Sequence, residues 1–145
     1  RQEWTLTASH NEKGLASAVD GEIKTRWETG KYQVPGMWLR VEFPEATMIT
    51  GLRLDSRRST RDYPRGYKVE VSEDGENWSK PVSEGKGSNP ITELTFKPVR
   101  AKHLRITQTG AVKGLFWSIH ELDIFRAALQ QPEIKKMKAA ATSFE

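Results

Sequence analysis

The sequence predicts an all-β domain, a sandwich or barrel, and three observations carry that expectation. Short segments alternate apolar and polar residues at period two. Turn-forming residues separate them. The chain has the length of one ordinary domain, with a lean core rich in large rings. In chain order, a first strand is expected near Trp4–Ala8. WLRVEF (38–43) follows, with Leu39, Val41 and Phe43 on one face, and then TGLRLD (50–55), with Leu52 and Leu54. YKVEVS (67–72) turns Tyr67, Val69 and Val71 inward, and 94–96, 104–107 and 119–125 continue the pattern. Asp74-Gly75 supplies the positive φ of a tight turn between Ser72 and Trp78. Pro44, Pro64, Pro81, Pro90 and Pro98 are expected between strands, where a missing N–H costs no ladder bond.

Composition narrows the function classes. Of 145 residues, 36% are hydrophobic, and five tryptophans can each bury a large area. The net charge of +4 favours anionic partners only weakly. With no cysteine, disulfides and thiolate metal sites are excluded. No apolar run approaches the roughly 20 residues of a membrane helix, and no signal peptide is visible. The chain begins with Arg1, so it reads as a segment of a longer polypeptide. After Arg126 the composition shifts to Ala, Lys and Gln. Residues 1–126 are read as the sandwich and 127–145 as a linker or short helical tail, with a helix over Pro132–Ala141.

Three separated motifs share one order: ASAVDGEIKTRW (16–27), SEDGENW (72–78) and WSIHELDIF (117–125). Together they resemble the factor 5/8 type C, or discoidin, family, and within it carbohydrate-binding module family 32. The resemblance spans about Trp4 to Phe125. It implies an antiparallel β-sandwich, a jelly roll of the galactose-binding-domain type with roughly eight strands, and a non-catalytic carbohydrate-binding role within a larger extracellular or periplasmic protein.

The Asp20-Gly21 turn and Thr25 form a loop that offers oxygens and no nitrogen or sulfur ligand, the donor set that Ca2+ prefers. The resemblance implies a structural Ca2+ held by the side chains of Asp20 and Thr25, the Glu121 carboxylate, and main-chain oxygens of Ser17, Glu22, Thr25 and His120. Read without it, Asp20 makes an Asx turn and Glu121 a solvated edge. The family arrangement requires the first loop and the last strand to be neighbours.

The expected ligand surface is SRRSTRDYPRG (56–66), which carries four arginines together with Asp62 and Tyr63. Sugars are held by planar hydrogen-bonding groups and one aromatic face. The resemblance points to Arg57, with Arg58 beside it, and to an aromatic before the SIHE stretch, which is Phe116, with Trp117 next to it. Asp62 and Tyr32, the latter from ETGKYQVPGM (28–37), complete the candidates. Phe116 and Trp117 are adjacent on a strand, so one is expected in the core, and Phe116 is expected to be the exposed one. Galactose binders of the resembled family often carry His and Trp in the 28–37 loop; this sequence has neither there.

Catalysis is not expected. His10, His103 and His120 share no metal-ligand spacing, and neither GxSxG nor GxxxxGK[ST] occurs. His103 is expected to face solvent, and Trp27, Trp38 and Trp78 are read as structural. Expected partners are a glycan and other domains of the parent chain, with neither nucleic acid nor membrane. The competing reading is a discoidin-type protein- or phospholipid-binding module.

Overall fold

The computed structural model describes residues 3–127, so the expected tail helix lies outside the described residues. These residues form eight strands: β1 (Thr5–Ala8), β2 (Trp27–Gln33), β3 (Trp38–Asp55), β4 (Tyr67–Ser72), β5 (Ser83–Gly85), β6 (Ile91–Gln108), β7 (Val112–Ile119) and β8 (Glu121–Arg126). A 3-10 segment, Glu12–Ala18, bridges β1 and β2. Six strands make one antiparallel sheet in the order β1-β3-β6-β4-β5, with β8 also on β3; β2 and β7 pair as a separate ribbon. The all-β fold expected from the alternation, and the antiparallel sandwich implied by the resemblance, are what is observed.

Alternation explains the core. In β3 Leu39, Val41, Phe43, Leu52 and Leu54 point inward, met from β6 by Leu104 and Ile106 and from β4 by Val69 and Val71. The ribbon closes the core with Trp27 and Trp117, both fully buried, their rings edge-to-face at 5.2 Å. Such a pair contributes about 0.5–1.5 kcal/mol beyond its buried area.

Two expectations are corrected. The segments 38–43 and 50–55 belong to one strand, β3, and 94–96 and 104–107 to another, β6. Pro44 and Pro98 therefore lie within strands. Both fall where the β3–β6 register slips, between Glu42 and Thr47 and between Ile49 and Gly51, so neither interrupts a regular ladder. His103 does not face solvent. It is only 9% exposed, because the indole of Trp78 folds back over the outer face of the sheet against it, 6.4 Å between rings. Trp78 also covers the guanidinium groups of Arg40 and Arg105 at 5.0 and 4.1 Å, a packing role as expected.

The turn that delivers Trp78 is built as expected. Gly75 has φ 80°, and Asp74 accepts the N–H groups of Asn77 and Glu76 at 2.8 Å. Those bonds hold its carboxyl well below the usual carboxylate range.

Candidate functional site

β8 runs antiparallel to β3, with Asp55 opposite Glu121. That pairing brings the start of β8 to the loop between the 3-10 segment and β2. The Gly21 N–H donates to Glu121 Oε1 at 3.1 Å across 100 residues of sequence. The first loop and last strand are neighbours, as the family arrangement requires.

Within this loop, oxygens gather on Thr25. Its Oγ1 lies 2.5 Å from Asp20 Oδ2, 3.0 Å from Glu22 O and 3.5 Å from Ser17 O. A hydroxyl has one proton and cannot serve three acceptors. Thr25 Oγ1 is thus ringed by more acceptor oxygens than it can serve, a crowding of oxygens that suits a hard cation. The donor set is oxygen only, contains two carboxylates, Asp20 and Glu121, and draws otherwise on carbonyls and a hydroxyl. Among the described residues no group of three or more His, Asp or Glu side chains is placed to hold a metal. The carbonyls of Ser17 and Glu22 and the Thr25 hydroxyl supply the rest of the oxygen set. The residues present fit Ca2+.

His120 sits at the corner between β7 and β8, its N–H donating to Asp55 O at 2.8 Å. Its buried ring spans two loops, with Nδ1 2.7 Å from Ile23 O and Nε2 2.8 Å from Ser59 Oγ. A carbonyl only accepts, so Nδ1 carries the proton, and in the neutral ring Nε2 accepts from Ser59. The side chain thus ties the 20–25 loop to the arginine loop, beyond the main-chain role expected of it.

The 56–66 loop is braced against β7. Ser118 N–H donates to Asp62 O at 3.0 Å and Ser118 Oγ to Asp62 Oδ2 at 2.6 Å, while Arg26 Nη1 reaches both Asp62 Oδ2 and Ser59 Oγ. Asp62 was expected to accept from a ligand. With 13% of its side chain exposed, its Oδ2 taken by Ser118 and its charge paired with Arg26, it is a structural brace. Trp117, also named among the ligand candidates, is the core member of the Phe116–Trp117 pair, as expected: it is fully buried with its ring against Trp27.

Phe116 points the other way. Its ring lies 6.2 Å from that of Tyr32, tilted by 31°, across the β2–β7 register. Tyr32 is 54% exposed. With Gly30 and Lys31 the two rings line an open depression of ≈ 460 Å3. Arg57 stands elsewhere, beside the start of β8. Its Nε and Nη2 grip the buried Asp55 carboxylate at 2.8–3.1 Å, leaving Nη1 outward. Burial raises the Asp55 pKa, but the Arg57 bonds and charge outweigh it and keep the carboxyl below its ordinary value. Arg58 is exposed. The structure therefore brings Tyr32 and Phe116 together, and neither Arg57 nor Arg58 lines their depression.

Sequence reasoning did not anticipate a buried glutamine pair. Gln33, 1% exposed, donates from Nε2 to Tyr63 O and Phe116 O, and its Oε1 accepts from Arg65 N and Gln108 Nε2. Gln108, fully buried, accepts at Oε1 from Gly66 N and Gly110 N. These two amides knot the ribbon, the arginine loop and the 108–110 turn together.

The model of the F5/8 type C domain matches residues 4–122. The chain belongs to the F5/8 type C family. No curated protein matches the sequence of this discoidin domain. Among solved structures it is similar to the family 32 module of Clostridium perfringens NanJ in complex with galactose, at 27% identity over 85% of this chain and 93% of that one, TM-score 0.72. It is similar also to the C. perfringens module CpGH89CBM32-5 in complex with GalNAc-β-1,3-galactose, at 26% identity over 86% and 96%, TM-score 0.71. A third relative is chitosan-binding module 2 of a Paenibacillus sp. IK-5 chitosanase/glucanase in complex with chitotriose, at 25% identity over 85% and 96%, TM-score 0.72. Within the family the neighbours are family 32 modules, as the motifs indicated.

Proposed function

We propose that this discoidin domain is a non-catalytic carbohydrate-binding module, carried by a larger extracytoplasmic protein whose other domains it holds on a glycan. The observation that carries the reading is the Tyr32–Phe116 shelf, two tilted rings 6.2 Å apart in an open depression. An exposed aromatic face covers the apolar C–H face of a pyranose. The sugar-bound relatives support the ligand class without naming the sugar, since they include both galactose and chitotriose complexes. A non-catalytic role is supported by the most buried acids. Asp55 is committed to Arg57, Asp62 to Arg26 and Ser118, and Glu70 to Arg105, so none is poised as a general acid.

The same reading includes a structural Ca2+ on the loop of Asp20 and Thr25. The side chains of Asp20, Thr25 and Glu121 and the main-chain oxygens of Ser17, Glu22, Thr25 and His120 would hold it, tying both ends of the domain's chain together. Its contribution is cohesion rather than chemistry at the sugar.

A glycan array with the isolated domain, followed by titration calorimetry on the best ligand, tests the assignment. Tyr32→Ala and Phe116→Ala are each expected to weaken binding about tenfold, roughly 1.4 kcal/mol, with the melting temperature of Tyr32→Ala unchanged. Parent-like affinity in both variants would move the site away from the shelf. A domain that ignores every glycan yet binds anionic vesicles would favour the phospholipid-binding alternative.

A further inference from the structure

Five of the ten arginines in the described residues face an acid: Arg57 and Arg53 meet Asp55, Arg26 meets Asp62, Arg105 meets Glu70 and Arg100 meets Glu73. Arg65 is held differently. Its Nη1 donates to Arg61 O at 2.9 Å and Tyr63 O at 2.7 Å, and its guanidinium lies 3.8 Å over the Tyr63 ring. All three partners are neutral. Among the described residues no carboxylate reaches Arg65 within ion-pair distance, and its Nε and Nη2 make no hydrogen bond. The side chain is fixed, while its charge and half of its donor fork remain unspent. Arg40 is also held by neutral groups, but the dent beside it measures only ≈ 140 Å3 and is shared with Glu42.

Arg65 walls a groove of ≈ 300 Å3 that Tyr67, Lys86 and Thr109 also line, and Glu84 with them, so two cations stand against one acid. Gly66 and Gly110 in its lining pack closely: a Cβ at Gly66 would lie 2.6 Å from Thr109 Oγ1, and one at Gly110 2.6 Å from Gly66 N. Burial pushes the Tyr67 phenol up from its ordinary value, so it stays a neutral donor. The backbone beside the groove is tied to the backbone beneath the aromatic shelf, because buried Gln33, the residue after Tyr32, accepts the Arg65 N–H and donates to Phe116 O.

We propose that this groove is a subsite for the carboxylate or sulfate of an acidic sugar, read by the free edge of the Arg65 guanidinium with Lys86 opposite. The proposal rests on the carbohydrate-binding reading and narrows its ligand to glycans bearing an oxyanion. A planar fork matches such a group in a bidentate pair. Because the fold already orders Arg65, little side-chain entropy is lost on binding.

The test is calorimetry of the domain with polygalacturonate against its methyl ester, and with dextran sulfate against dextran. Tighter binding of the charged polymer in either arm supports the subsite and names the anion. Arg65→Ala is expected to lose about tenfold on that polymer, to flatten the salt dependence and to leave neutral-polymer affinity unchanged. Arg65→Lys is expected between the two, keeping the charge without the fork. Should Arg65→Ala fail to fold, Lys86→Ala, at an exposed position, carries the same expectation in direction. Arg100→Ala, which removes a cation of the main sheet that does not line the groove, should bind as the parent does. Equal affinity for charged and neutral polymers, or an equal loss in Arg100→Ala, overturns the subsite and leaves the carbohydrate reading standing. No binding to any of the four polymers overturns the subsite, and a glycan array that is also blank overturns the carbohydrate reading with it.

Discussion

Gln108→Leu is expected to destabilise the domain by about 3 kcal/mol, although leucine nearly fills the space glutamine leaves. The effect comes from hydrogen bonding. Gln108 Oε1 accepts two backbone N–H groups, those of Gly66 and Gly110, each at 3.0 Å, and Nε2 donates to Gln33 Oε1 at 3.0 Å. With the amide removed, two N–H groups lose their acceptor in a region where Gln108 itself is fully buried. Each donor left unsatisfied costs about 1–3 kcal/mol. Gln33 Oε1 retains the Arg65 N–H, so that end of the knot suffers less. A domain of this size has about 5–15 kcal/mol of stability in all, and the predicted loss lowers the melting temperature by about 10 °C. Urea unfolding measures it directly, with the midpoint falling at constant slope. A loss under about 1 kcal/mol would mean that water enters and takes over as acceptor, and that the knot is not what joins these loops. Glycan affinity should fall further than the residual folded fraction explains, because the knot positions Phe116, Tyr63 and Arg65 relative to one another.

The same glutamines show where sequence reading stops. Period-two alternation made the sheet legible, because burial on one face follows from the pleat, and Leu39, Val41, Val69, Val71, Leu104 and Ile106 are all buried. The β2–β7 ribbon was harder, since β2 turns Thr29 and Gln33 inward beside Trp27. An amide reads as surface until the backbone groups it satisfies are known, and those come from residues 30 to 83 positions away. His103 failed for the converse reason. It occupies an outward strand position, and only the return of Trp78 from the next turn buries it. Asp62 likewise looked like a free acceptor because Ser118 and Arg26 are remote in sequence. Alternation said only that one of Phe116 and Trp117 lies in the core, and the resemblance pointed to Phe116 as the other. The approach of Gly21 to Glu121 was legible only through the order of three motifs, since neither segment carries information about the other.

Removing the proposed cation is the second change expected to act strongly. Calcium that binds the folded domain and not the unfolded chain adds about 2.7 kcal/mol when its free concentration is a hundredfold above Kd. For a domain of this size that corresponds to roughly 10 °C of melting temperature. EDTA added to calcium-loaded protein should remove that increment, and calcium in excess should restore it. Asp20→Ala should melt low from the outset and respond to neither. The expectation follows from where the loop sits. Thr25 Oγ1 collects three oxygens from Asp20, Glu22 and Ser17, and the neighbouring Gly21 N–H is already bound to Glu121 on the last strand. A cation here joins segments 100 residues apart. Closing a loop that long removes much conformational freedom from the partly open states that precede unfolding. His120 extends the connection to Ser59 of the arginine loop, so chelation should also weaken glycan binding, and by more in the parent than in Ser59→Ala. A calcium-loaded domain whose melting temperature ignores EDTA would show that the hydrogen bonds alone hold this corner, with Asp20 capping a turn.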